Sequence, residues 1–510
     1  QERSLYAFHD IKTGPSWQFR GTNQGLKEAF QVLSFEHRQD PTLFGAGVHG
    51  FHEVHKKLLG FVKKRKGRPS KLYFASVDIH HCYDNINQSH LLGILDNLLS
   101  KEEYASQECT IIHPFDGTSR LMHKKEKSVG SPGNIVSFLD QAKHIASRQN
   151  HAVVVDQVRC HIANKSMLLS ILEEHLSRNL VVLKDQFAPQ LLLQTSGIPQ
   201  GSILSSMLCN YYYGDIEPHL LQGVFHDTSK DQNLLIRVID DFILITSNED
   251  TCKRFIEKMR QGSSHYGVQI NEKKTKTSHE IDATGKSSRC TIKMNGRDYF
   301  QWCGLLINTA NCEVQIDYSR FAATRALDTL TINMVSNEGE KFALQLRNFV
   351  RPRCTPILFD SRLNSPSTTM INFHQAIIMC AIKTVHYIVQ SLDDGGLKKN
   401  EKFLFRCIKD VVLFAHNLIQ SNLRKLVGEI GDNLPSDRNP VKTIFDRKDA
   451  LWLGIHAFQA VYRHTAFPNF EKRASFLENY LKKLHNSNYA VLKSVASKSL
   501  KSFDLKRFHV

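Results

Sequence analysis

Two adjacent carboxylates inside an apolar stretch constrain this chain more than any other feature. The stretch reads Leu235-Ile236-Arg237-Val238-Ile239-Asp240-Asp241-Phe242-Ile243-Leu244-Ile245, and its β-branched residues predict a hairpin with the acid at its tip. Like charges placed between two buried strands repel each other and call for a cation, and oxygen ligands of this kind suit Mg²⁺. Taken alone, the dipeptide reads more simply as a solvated turn, because Asp is a common turn residue.

The same pattern elsewhere alters that reading. Residues 72–79 form a second apolar strand that reaches Asp78, and Tyr83-Asp84 follows it. Strand-end carboxylates that converge from separate segments are what two-metal phosphoryl transfer requires, one ion activating a 3′-hydroxyl and the other steadying the pyrophosphate. Between them lies Gln194-Thr195-Ser196-Gly197-Ile198-Pro199-Gln200-Gly201-Ser202, which runs into an apolar segment over 204–213. Its glycines permit close backbone approach to a ligand, and the helix expected after it presents unpaired N–H groups.

The order Asp78, Tyr83-Asp84, Gly-Ile-Pro-Gln-Gly-Ser, Asp240-Asp241, Lys273-Lys274-Thr275 and Phe300-Gln301-Trp302-Cys303-Gly304-Leu305-Leu306 resembles the palm motifs of reverse transcriptases. More narrowly it resembles telomerase reverse transcriptases, through the long insertion between Asp84 and Gln194, the Trp-Cys-Gly-Leu-Leu run and a long tail without an acidic nuclease cluster. Ile239 stands where valine is usual, and Ser196 where glutamine is frequent.

The resemblance implies an α+β right-hand polymerase fold with an antiparallel-sheet palm, partial fingers and an all-helical thumb. It divides the chain into partial fingers over 1–72, a palm over 73–310 with an inserted fingers subdomain at about 92–190, and a thumb over 311–510. Asp78, Asp240 and Asp241 are expected to hold two Mg²⁺ ions. Ile79, Tyr83, Gln200 and Gly201 are expected at the nucleotide, with the Tyr83 ring blocking a 2′-hydroxyl. Lys274 aligns with a family lysine that faces the pyrophosphate, and Trp302, Cys303 and Gly304 with the grip on the primer end. The implied activity is RNA-templated DNA synthesis at chromosome 3′ ends in the nucleus, with a telomerase RNA, a telomeric DNA primer, deoxynucleoside triphosphates and ribonucleoprotein partners. The rivals are a retroelement or intron-type reverse transcriptase and a non-catalytic nucleic-acid-binding scaffold.

Charge agrees with a polyanionic partner: 66 Lys and Arg against 50 Asp and Glu give +16 at pH 7. At 510 residues and 41% hydrophobic content the chain predicts two or three folded domains. No apolar run approaches the roughly 18 uncharged residues of a membrane span. The 11 cysteines are odd in number and scattered without a Cys-x-x-Cys pair, which reads as reduced core residues. His80-His81-Cys82 lacks a second ligand pair at the spacing a zinc site needs.

Three stretches carry weaker expectations. Gly45-Ala46-Gly47-Val48-His49-Gly50 fits the pattern of a dinucleotide-binding loop, but polar residues precede it and Lys63-Lys64-Arg65-Lys66 stands where an acid belongs. A loop before a helix through Val54, Leu58 and Phe61 is predicted instead. The basic run, extended by Gly67-Arg68, suits a phosphate contact, an import patch or a solvated connector. The insertion is expected to mix helices near Leu91 to Leu99 and over 166–176 with a polar stretch over 123–133. Residues 266–271 read as a strand. Gln1 in place of methionine suggests a fragment, and residues 1–29 match no nucleotide-gripping fingers segment. Beyond Tyr318, apolar spacing through Met370, Phe373, Ile377, Ala381, Thr384, Val385 and Ile388 predicts a helical bundle, broken at 393–399 and 431–440.

Overall fold

The computed structural model describes residues 3–10, 14–65, 71–114, 121–132, 137–148, 152–184, 189–226, 232–279, 290–321, 338–391, 400–430, 445–467, 470–484 and 488–505. Lys66, Gly67, Arg68 and both polar breaks of the C-terminal region fall outside them. An antiparallel pair, β1 (Arg3–Asp10) and β2 (Gly14–Gly21), opens the chain. Helix Lys27–Gln39 and a 3₁₀ turn at Pro41–Phe44 follow. The glycine run is then a loop before helix Phe51–Lys64, which buries Val54, Leu58 and Phe61 at helical spacing.

Strand β3 (Tyr73–Asp78) ends at its aspartate. Helix Gln88–Leu98 comes next, begun by the Asn87 side chain accepting from the His90 N–H at 3.0 Å. The insertion then forms its own antiparallel sheet from β4 (Glu103–Pro114), β5 (Leu121–Gly130) and β6 (Val153–Asn164), in the order β5-β4-β6. The polar stretch is therefore a strand over most of its length. An edge strand paired on one side keeps charged side chains in solvent, so Lys124 and Lys125 fit at the rim of the sheet. Helix Lys165–Ser177 and the hairpin of β7 (Leu180–Lys184) and β8 (Pro189–Leu193) complete the insertion.

Helix Ser205–Leu220 follows the Gly-Ile-Pro-Gln-Gly loop, and β9 (Asn233–Val238) and β10 (Asp241–Thr246) form the expected hairpin. Helix Glu249–Gln261 starts at Asn248, whose side chain accepts from the N–H groups of Asp250 and Thr251. Residues 266–271 are not a continuous strand. Gly267 lies at φ 66° against the Asn85 carbonyl, and the strand-like pairing of the segment is reduced to isolated bridges, Ser263 with Val268 and Ile79 with Ile270. The turn needed at Gly267 breaks the strand its apolar neighbours would otherwise make.

A short β11 (Lys276–Thr277) completes a central antiparallel sheet in the order β11-β3-β10-β9. Successive side chains of a strand face opposite ways, and this sheet uses both faces. Ala75, Val77, Phe242 and Leu244 join one core with helices Ser205–Leu220 and Glu249–Gln261. Phe74, Ile236, Ile243 and Ile245 join a second with a sheet of β12 (Thr291–Met294), β13 (Arg297–Trp302), β14 (Leu305–Asn308) and β15 (Val314–Ile316). That second core continues into helices Pro366–Ser391, Glu401–Ile430, Arg447–His464, Phe470–Lys483 and Tyr489–Phe503. Phe373, Ile377, Ala381, Val385 and Ile388 are all buried, as their helical spacing predicts. Among the described residues no helix is long and apolar enough to cross a membrane.

Candidate active site

The register of the central sheet assembles the acid. Asp241 lies directly opposite Asp78 across the β10–β3 pair, and residues facing each other in this way project to the same side. Asp240 sits in the two-residue turn between β9 and β10, and its carbonyl accepts from the Ile79 N–H at 3.1 Å. One carboxylate oxygen from each of Asp78, Asp240 and Asp241 lies within 4.8 Å of the others.

Asp84, the fourth acid of these motifs, stays apart. It is exposed, with Oδ2 3.2 Å from His81 Nδ1 and Oδ1 accepting from Gln200 Nε2 at 3.4 Å. Of the zinc candidates in His80-His81-Cys82, Cys82 is buried with its sulfur 3.4 Å from that of Cys209.

Charge repulsion marks the trio. Burial raises the Asp240 carboxyl above its ordinary range, and the charges of Asp241 and Asp78 add to this. Burial likewise raises Asp241, partly countered by the Cys303 thiol, which donates to Asp241 Oδ2 at 3.4 Å. Lys274 Nζ donates to Asp78 Oδ1 at 3.0 Å, and that bond followed by the Asp78 charge holds the ammonium above its usual range. Three converging, partly desolvated oxygens with positive charge already drawn to them fit a hard divalent cation.

The remaining expected residues divide in two. Tyr83, Gln200, Asp240 and Lys274 line one open cleft of about 310 Å³ with Asp78 and Asn271. Gly201, at φ 87°, has open space where a side chain would stand. Ile79 borders the same cleft but is buried, at 1% exposure, and Trp302 is buried at 4%. The β13–β14 turn at Cys303 and Gly304, with φ 45° and 76°, lies beside the trio in place of the indole. A Cβ at Gly304 would overlap the Arg320 guanidinium.

Sequence pattern assigns no role to one charged residue, Arg237, fully buried in β9. A cation in an otherwise apolar strand is itself a signal, since it requires buried partners.

Residues 143–307 match the family model for reverse transcriptase (RNA-dependent DNA polymerase), and residues 341–468 that for the telomerase reverse transcriptase C-terminal extension. The telomerase reverse transcriptase of Oryza sativa subsp. japonica is 29% identical over 469 residues, 89% of this chain and 36% of the relative. That of Bos taurus is 28% identical over 441 residues, 85% of this chain and 37% of the relative. The structure of telomerase from Candida albicans, in complex with a fragment of telomeric RNA, has a TM-score of 0.52 at 14% identity, covering 93% of this chain and 66% of that one.

An antiparallel sheet with a carboxylate trio at its strand ends, an inserted subdomain and a helical C-terminal region define a right-hand polymerase fold. Over most of its length the chain is similar to telomerase reverse transcriptases. It spans little more than a third of the length of these relatives. The match to the telomerase C-terminal extension separates it from retroelement and intron enzymes.

Proposed function

We propose that this chain is the polymerising part of a telomerase catalytic subunit, which copies an RNA template into DNA at chromosome 3′ ends. The observation that carries the reading is the convergence of Asp78, Asp240 and Asp241 at two paired strand ends and the turn between strands, with Asp78 and Asp240 open to a cleft. These three carboxylates would hold two Mg²⁺ ions. Bound there, the metal would favour ionisation of the primer 3′-hydroxyl and neutralise charge on the triphosphate.

The chain's own groups do the rest. Asp78 and Asp241 project to one side of a rigid sheet, which fixes their separation before substrate arrives. Lys274 reaches into the cleft from the segment after helix Glu249–Gln261, where its ammonium can offset pyrophosphate charge or give up a proton. Gln200 and Gly201 border the incoming nucleotide, the second leaving room for close backbone approach. The Cys303–Gly304 turn, set by the buried Trp302 beneath it, positions the primer end. The excess of positive charge suits the phosphates of a template RNA and a telomeric primer. Deoxynucleoside triphosphates as substrates, a ribonucleoprotein assembly and a nuclear location at telomeres belong to the same proposal.

The test uses the protein with the RNA that co-purifies with it. Primer extension should require Mg²⁺, disappear after ribonuclease treatment, and change sequence when the template RNA is changed. Extension that survives ribonuclease, or a product indifferent to the template, would sink the reading.

Sugar choice gives a second measurement. The half-buried Tyr83 ring lines the cleft beside Asp78 and Asp240, where it is the bulky group expected beneath the sugar. Tyr83→Ala should raise ribonucleotide incorporation relative to deoxyribonucleotide by about tenfold or more, on the scale of roughly 1–3 kcal/mol for a steric contact in a pocket. An unchanged ratio would assign the gate to another residue.

A further inference from the structure

The glycine run at 45–50 and the buried Arg237 form one device. All five N–H donors of a guanidinium can be accounted for here. Arg237 Nε donates to Glu217 Oε1 at 2.7 Å, Nη1 to Asn210 Oδ1 at 2.9 Å and to the Ile239 carbonyl at 3.2 Å, and Nη2 to the carbonyls of Phe44 at 3.1 Å and Asn210 at 3.3 Å. The rings of Tyr213 and Phe242 lie 5.2 and 5.6 Å from its central carbon.

The far side of the pair explains the glycines. Glu217 Oε2 accepts from the Ala46 N–H at 2.6 Å, and the loop joins β9 through Arg237 N–H to the Ala46 carbonyl and Val48 N–H to the Arg237 carbonyl, both at 2.9 Å. A Cβ at Gly45 would overlap the Glu217 carboxylate, and one at Gly47 would stand 2.8 Å from Arg237 Nη2. The run that fits a dinucleotide-binding pattern is thus shaped to admit a buried Arg–Glu pair.

The Ile239 bond points to what the pair does. Ile239 holds φ 61°, a left-handed conformation that a β-branched side chain disfavours and that persists only where the surroundings impose it. It is the residue directly before Asp240. The Arg237 guanidinium grips its carbonyl from one side, and the Ile79 N–H grips the next carbonyl from the other.

We infer that Arg237 is a positioning residue, which holds the Ile239–Asp240 turn in its strained form and so aims the carboxylate trio, with Glu217, Asn210 and the 44–48 loop as its anchor. The inference rests on the reading of the trio as a metal site. Residues that orient metal ligands typically affect metal affinity or activity by 10–100-fold.

Mn²⁺ alone is the probe, its free concentration followed by electron paramagnetic resonance. Arg237→Lys keeps the charge but not the planar fork, and should weaken Mn²⁺ binding about tenfold while raising the half-saturating Mg²⁺ for extension by a similar factor. Gly47→Ala intrudes on the guanidinium without altering any carboxylate, and should shift both quantities in the same direction. Unchanged Mn²⁺ affinity in the folded variants, with only thermal stability lowered, would reduce the network to packing and overturn the inference. Should the lysine variant not fold, Gly47→Ala decides between the same two outcomes. An unaltered protein that holds no Mn²⁺ would instead overturn the metal-site reading itself.

Discussion

Asp240→Ala should abolish primer extension, by about a thousandfold or more, which is roughly 4 kcal/mol of barrier at 1.36 kcal/mol per decade. The fold should survive. Asp240 lies in a turn and not in a packed strand, and its backbone carbonyl, which alanine retains, makes the bond to the Ile79 N–H. Removing one of three converging like charges also relieves repulsion when no metal is bound. Single-turnover extension and thermal unfolding of the same sample separate the two effects. Lost activity with equal or higher stability is expected; near-normal extension would remove the proposed mechanism.

The second large effect lies away from the cleft. Asp360→Asn should destabilise the folded protein by about 3 kcal/mol, the scale of breaking a buried ion pair from one side. Asp360 is fully buried between helix Phe51–Lys64 and the C-terminal helices. Arg362 donates to it through Nε at 2.9 Å and through Nη2 at 2.7 Å, and His55 Nε2 lies 3.0 Å from Oδ2. Burial alone would raise this carboxyl, but the contacts from His55 and Arg362 outweigh it and hold the group well below the usual carboxylate range.

The sign of the pH dependence follows. A carboxyl whose folded value is depressed stabilises fully above its unfolded value of about 4, and that contribution fades as pH falls below it toward the folded value. Urea titrations of both proteins should therefore differ most near neutral pH and converge in acid below about pH 4. A gap that persists unchanged into strong acid would place the effect in packing and not in charge.

Much of the site was legible because its chemistry is local. An aspartate at the end of an apolar strand, an Asp-Asp pair at a hairpin tip and a glycine-proline loop before a helix are each written in a few neighbouring residues. The hairpin, the loop and the helix formed as their patterns predict. The helical C-terminal region was equally plain, because its apolar spacing continues over many turns.

Other features depend on partners distant in sequence. The polar stretch over 123–133 shows no strand pattern, yet most of it forms an edge strand once β4 offers its backbone. Residues 266–271 look like a strand, yet Gly267 must turn against the Asn85 carbonyl. The Trp302 indole belongs to a core, and only the turn after it reaches the trio.

The sequence by itself determined the kinds of group available and their order: three acids, a lysine and glycine-bearing loops. Tertiary structure alone decided which of them meet. Asp78 faces Asp241 because antiparallel register joins strands more than 160 residues apart, and Asp84 is left out because its turn carries it toward His81. Arg237 finds Glu217 and Asn210 on one helix and the Phe44 carbonyl on another segment. No local periodicity encodes such a meeting, since burying a charge is tolerated only where the whole fold brings every hydrogen-bond partner to it.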